Sequence, residues 1–234
     1  MNEHEPTYKN HRFPISIIAR AIWLYFRFNL SLREVEEMML ERGVEVSYET
    51  IRRWCRSHGS LLTSRLRRKS ASSSDVWHLD EVVVSIGGKK CWLWRAVDQD
   101  GYVLDEIVQT RRNTKAAKRL LVRLLKKQGC APKRIVTDKL RSYGAAKRQV
   151  MANVDHRSHK GLNNRAENSH LPFRKRERTR QGFRSIGSLQ HFVSIFSATR
   201  NHFVQSSSNR SARMIRAHRN TAIAEWNAVA HQLA

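Results

Sequence analysis

Acidic residues are scarce in this chain: 20 Asp and Glu stand against 44 Lys and Arg in 234 residues, a formal net charge of +24. The surface must therefore be strongly positive, and the phosphate backbone of nucleic acid is the usual partner of such a surface. Cysteine is nearly absent too. Cys55, Cys91 and Cys130 are odd in number and far apart, which excludes a disulfide framework, and Cys55 with His58 has no second Cys/His pair to complete a zinc site. Long apolar runs are missing as well. The stretch from Phe13 to Leu30 is broken by Arg20 and Arg27, and no run reaches the roughly 18 uncharged residues of a membrane span. The opening Met1-Asn2-Glu3-His4-Glu5-Pro6 has neither the basic start nor the apolar centre of a secretory signal. These absences predict a cytoplasmic, nucleoid-associated protein without a membrane partner.

What is present divides the chain into four parts. Apolar residues at Ile17, Ile18, Ala21, Ile22, Leu24, Tyr25 and Phe28 follow a helical period. Ser31 and Glu34 form a capping-box pair that opens a second helix, and Gly43 closes it. Ser47 then caps a basic third helix, with Ile51, Trp54 and Cys55 inward and Tyr48, Arg52, Arg53 and Arg56 outward. Helix, glycine-containing turn and capped basic helix predict a helix-turn-helix domain over 1–60, whose last helix enters the major groove. Residues 61–74, rich in Ser and Arg and carrying Arg67 and Arg68, read as a basic linker along DNA phosphates.

Residues 75–205 read as an α/β domain. Val76 to Ile86 is β-branched and closes on Gly87-Gly88, a hairpin signal, and two further strands follow to Gln109. Asn113 or Thr114 caps a helix with a Leu120, Leu121, Leu124, Leu125 stripe, ended by Gly129. Arg134 to Thr137 is a short strand, and Leu189 to Phe203 a later apolar helix. Three antiparallel strands, a helix, a further strand and covering helices are the order of a ribonuclease-H-like mixed sheet. Residues 206–234 read as a basic, partly helical tail.

Against this basic background three acids draw attention. Asp80 lies mid-strand between Leu79 and the Val82-Val83-Val84 run, where burial without a partner or metal costs several kcal/mol. Asp138 ends the strand that closes at Thr137. Glu167 sits in a helix-compatible Asn-Arg-Ala-Glu-Asn run, with Asn163, Asn164 and His170 one turn away on its own face. Glu81 alternates to the face opposite Asp80. Asp98, Asp100, Asp105 and Glu106 read as turn and structural acids. Three hard oxygen donors on distant segments suit divalent magnesium, and two such ions about 3.5–4 Å apart activate, neutralise and stabilise the oxygens of a phosphodiester exchange. Arg174, Lys175, Arg176, Arg178, Arg180 and Arg184 follow Glu167 and read as a DNA-backbone track, with Pro172 breaking or kinking the helix.

Several ordered blocks carry a resemblance: Leu30-Ser31-Leu32-Arg33-Glu34-Val35, Thr50-Ile51-Arg52-Arg53-Trp54, Trp77-His78-Leu79-Asp80-Glu81, Thr137-Asp138-Lys139-Leu140-Arg141-Ser142-Tyr143-Gly144 and Asn163-Asn164-Arg165-Ala166-Glu167-Asn168-Ser169-His170. Between about Phe13 and Phe203 the chain resembles the IS-six family of insertion-sequence transposases. The resemblance implies a DDE transposase with a retroviral-integrase-like core and Asp80, Asp138 and Glu167 as its catalytic, metal-binding acids. It further implies Mg²⁺, replaceable by Mn²⁺, with two ions per site. Lys139 and Asn164 join the arginines as DNA contacts, and Asn163 and His170 support the site. Such enzymes use no small-molecule cofactor, act as homodimers or larger synaptic assemblies on terminal inverted repeats and target double-stranded DNA, and yield cointegrates. The 28 residues between Asp138 and Glu167 are fewer than is usual in the family.

Overall fold

The computed structural model describes residues 12–66, 72, 74–180, 182–204 and 210–233. They form two compact units, one within Met1–Arg68 and Ser194–Ala234, the other within Lys69–Val193.

The first unit is helical. Helix α1 (Ile15–Arg27) buries Ile18, Ala21, Ile22 and Tyr25, the residues whose spacing predicts it. Helix α2 (Leu32–Leu40) opens on the complete Ser31/Glu34 capping box, and α3 (Tyr48–Ser57) opens on Ser47, whose side chain accepts from the Thr50 N–H. The Glu36 carboxylate accepts the Tyr48 N–H at 3.0 Å, fixing the turn between α2 and α3. Ile51, Trp54 and Cys55 face inward. Arg52, Arg53 and Arg56 are exposed, and the Arg52 and Arg33 guanidiniums lie over the Tyr48 ring.

Two boundaries differ from expectation. The basic linker does not begin at residue 61, because α4 (Gly59–Arg65) occupies its start and buries Leu62 and Leu66. Nor is 206–234 a separate tail. Helix α9 (Ala212–His231) returns to α1: the Trp226 indole N–H donates to the Ala19 carbonyl at 3.3 Å and its ring packs on Phe203. Its buried residues, Ala222, Trp226, Val229 and Ala230, fall at helical spacing on one face, and Trp226 is the largest of them.

The second unit is built on a mixed sheet. Strand β1 (Val76–Ile86) turns through Gly87 and Gly88, at φ 55° and 77°, into β2 (Lys89–Val97). Positive φ at both central residues is the twist-matched hairpin turn that glycine alone adopts freely. Then come β3 (Val103–Gln109), α5 (Thr114–Gln128, capped by Asn113), β4 (Arg134–Thr137), α6 (Arg141–Val150), β5 (Asp155–Ser158), α7 (Asn164–Thr179) and the part of α8 (Ile186–Phe203) up to Val193, the rest of that helix belonging to the first unit. The strand order is β3-β2-β1-β4-β5, antiparallel through the first three strands and parallel from β1 to β4 and from β4 to β5. This is the ribonuclease-H-like core the element order predicts. One face carries Trp77, Leu79, Trp94 and Ala96 against the leucines of α5 and Tyr143 of α6. The other carries Asp80, Arg95 and Glu106 in one cross-strand row, under α7, whose Ser169 carbonyl accepts from the Arg95 guanidinium. Helix α7 continues through Pro172 instead of breaking there.

Candidate active site

The register of the parallel strands creates the site. Leu79 pairs with Thr137, the last residue of β4, so the next residue of each strand, Asp80 and Asp138, lie side by side where the ladder ends. Beyond Leu79 no strand continues the ladder on the β4 side of β1 before the isolated bridge of Ile86 to Phe183, and side chains from both faces of β1 can turn into that opening. Oxygens of Asp80, Glu81 and Asp138 accordingly lie within 4.8 Å of one another. Strand alternation predicts that Glu81 faces away from the site; its side chain does stay on the Trp94 face, where it meets Tyr143, yet beside the end of β4 one of its oxygens still joins the cluster.

Negative charge is concentrated here. Asp80, with only 14% of its side chain exposed, has its pKa pushed up to about 7, first by burial and then by Glu81, Asp138 and Glu167. Glu81 is also raised, chiefly by burial. Its Oε2 accepts from the buried Tyr143 hydroxyl at 2.7 Å, and its Oε1 accepts from Arg112 at 2.6 Å. The same guanidinium lies 3.6 Å from Asp138 Oδ2 and over the Trp92 ring. Asp138 Oδ1 accepts the Leu140 N–H at 2.9 Å, which fixes the loop entering α6. The donor set fits a hard divalent cation: clustered carboxylate oxygens, mutually repelling, on Asp80 and Asp138.

Glu167 stands apart. It lies on the exposed face of α7, outside the three-acid cluster, and acts on Asp80 as the last of the charges that raise its pKa. Asn163 and His170 do not share that face as expected. Both are buried: the Asn163 amide donates to the Leu79 carbonyl at 2.8 Å, and His170 Nε2 lies 3.6 Å from Asp80 Oδ2. Burial and the neighbouring Arg95 and Arg174 keep the His170 imidazole neutral, well below the usual range. The two residues brace the β1 side of α7 beneath the site.

The basic residues divide. Lys139, Asn164, Lys175 and Arg178 are exposed near these acids along the chain, while Arg174 is half-buried and paired with Glu177 at 2.7 Å. Arg176 departs from the DNA-contact reading: it is 1% exposed, on the same helix face as Phe173, with its guanidinium 5.9 Å from the Phe192 ring centroid. A helix turns every 3.6 residues, so Arg176, three positions after buried Phe173, falls on the inward face. Arg67 and Arg68 lie outside the described residues. Sequence reasoning missed Glu81 and Arg112 as members of the site. Arg112 precedes the α5 cap in a chain full of arginines, and only the strand register distinguishes it.

A family model described as a DDE domain matches residues 74–206. The chain is 30% identical over 175 residues to the transposase for insertion sequence-like element IS431mec of Staphylococcus aureus, covering 73% of this chain and 78% of that protein. It is 29% identical over the same length to the transposase for insertion sequence element IS257 in transposon Tn4003 of Staphylococcus aureus, again covering 73% and 78%. A chain of the simian T-cell lymphotropic virus intasome, solved with PP2A regulatory subunit B56 gamma, superposes with a TM-score of 0.41 and 16% identity; 62% of this chain and 55% of that one are covered. With the DDE domain matched over more than half its length, the chain belongs to the IS-six family of DDE transposases.

Proposed function

We propose that this chain binds the terminal inverted repeats of its own element, frees 3′-hydroxyls there with water, and joins them to target DNA by a replicative, cointegrate-forming route. The observation that carries the reading is the register that sets Asp80 beside Asp138 at an open strand edge, their carboxylates crowded in a chain of net charge +24. Asp80 and Asp138 would hold magnesium, and Glu167, one helix away, would complete the set for a second ion. Bound divalent cations supply Lewis-acid neutralisation of phosphoryl charge and lower the pKa of water. The chain's own residues do the rest. Lys139, Asn164, Lys175 and Arg178 hold phosphates, and Arg52, Arg53 and Arg56 on α3 read the repeat from the major groove. The buried Asn163 amide, bonded to the Leu79 carbonyl, ties the strand of Asp80 to the start of α7, and neutral His170 packs beside Asp80. Two chains or more, one on each element end, make the assembly.

The test is a supercoiled-plasmid joining assay with element-end DNA and Mg²⁺. Wild type gives joined products; Asp138→Ala gives none yet retains end binding by mobility shift. Joining retained by Asp138→Ala would sink the reading. The standing apart of Glu167 favours a second reading, a transposase-derived DNA-binding regulator without catalysis. That protein binds ends in the same assay and joins nothing, even as wild type.

A further inference from the structure

The reading above leaves Arg112 and Glu81 without a role, although their geometry is the most constrained around the acids. Glu81 has a fully buried side chain, and both of its oxygens are taken, one by Tyr143 and one by Arg112 through Nε and Nη2 at 2.6 Å. Each of its oxygens already accepts a hydrogen bond, and one of them grips a guanidinium. That guanidinium, 38% exposed, is stacked 5.1 Å from the Trp92 ring centroid and leans to 3.6 Å from Asp138 Oδ2. An arginine does not lose its charge at any working pH. A fixed positive charge therefore sits beside one of the two carboxylates proposed to hold the cation, and the acid beneath prevents it from swinging away.

We propose that Arg112 is a resident counter-ion of the acid cluster, clamped by Glu81, and that this clamp sets how tightly the site takes a divalent cation. The inference rests on the proposed metal site at Asp80 and Asp138. Two effects follow from Coulomb's law at these distances. Removing Arg112 leaves Glu81 as an uncompensated buried carboxylate next to the site, so divalent binding tightens. Neutralising Glu81 leaves Arg112 as the nearest free charge to Asp138, so divalent binding weakens. A purely packing role for the pair predicts no such opposition of sign, since either change then loosens the same structure.

The experiment is Mn²⁺ titration of the full chain by calorimetry, without DNA, for wild type, Arg112→Gln, Glu81→Gln, Arg112→Lys and Asp138→Asn. The expected result is an affinity about ten-fold tighter for Arg112→Gln and about ten-fold weaker for Glu81→Gln. Arg112→Lys, which keeps the charge but loses the fork, stays within about three-fold of wild type. Shifts of the same sign in Arg112→Gln and Glu81→Gln, or none in either, overturn the clamp while leaving the metal site standing. Wild-type binding that is absent, or that Asp138→Asn does not weaken, overturns the metal site itself and the clamp with it. Should Glu81→Gln fail to fold, Arg112→Gln on its exposed arm decides alone: affinity no tighter than wild type refutes the proposal.

Discussion

The chain writes nearly the same pentapeptide twice into its sheet, Leu79-Asp80-Glu81-Val82-Val83 in β1 and Leu104-Asp105-Glu106-Ile107-Val108 in β3, and gives the two opposite electrostatic surroundings. Around Asp105 stand Arg123 at 2.9 Å and Lys127 at 3.0 Å, and they hold its carboxyl below the usual range despite burial. Glu106 is matched by Arg95 at 2.7 Å. Among the described residues no Lys or Arg pairs with Asp80, and its pKa rises to about 7. In a chain with 44 basic residues, a single counter-ion on Glu81 and Asp138 and none on Asp80 is a specific arrangement. The lesson is that what separates the two carboxylates is which cations stand beside them, a property of placement and not of local sequence.

The contrast can be broken at four points. The largest effect is expected from Asp80→Ala, which should reduce joining about 10³-fold or more, several kcal/mol of transition-state stabilisation, while Asp105→Ala leaves joining by correctly folded protein within a few-fold. Parallel plasmid assays separate them. Next, Glu106→Ala strands the buried Arg95 and should cost about 3–5 kcal/mol in urea unfolding. The double change Arg95→Met with Glu106→Leu should recover most of that loss.

The third point is pH. A carboxyl whose pKa is about 7 folded against about 3.9 unfolded binds its proton more tightly in the native state. Its contribution to metal-free stability is therefore fully present below pH 4 and lost as pH rises to 7, by about 2–4 kcal/mol. Unfolding in EDTA should show the decline, Asp80→Asn should remove it, and Mg²⁺ should stabilise more at pH 8 than at pH 5. Asp105 has the reverse sign: its stabilisation is present above the unfolded pKa and lost on acidification. The smallest effect belongs to the surface. Arg53→Ala on α3 should weaken end binding about three- to ten-fold and reduce the salt slope by about one.

The parts of the fold legible in sequence are those where one residue type decides a backbone state. The Ser31/Glu34 capping box, the Gly87-Gly88 hairpin and the Gly129 stop at φ 72° are of this kind. What was not legible depends on distant partners. Strand β5 (Asp155–Ser158) contains no apolar residue and exists because the β4 edge offers it a ladder. Helix α6 buries only Tyr143 and Ala146, too few for a period. Asp80 and Asp138 could be named as acids near strand ends, but their adjacency is a matter of register. Glu81 could not be found, because alternation assigns it to the face opposite Asp80, and only the end of β4 beside it lets one of its oxygens join the cluster. Arg176 shows the converse, since nothing in a run of cations tells which one the helix turns inward.

The docking of Trp226 on Ala19 also bears on time. A ribosome makes the amino terminus first, and helices α1 to α3 emerge long before α9, which supplies part of the core they share. Some 200 residues of chain must be threaded between them, so closing this contact is slow and late. Helices α1 to α3, which present Arg52, Arg53 and Arg56, are thus made before α9 and completed only when it docks, and a nascent chain released before α9 carries them without that support.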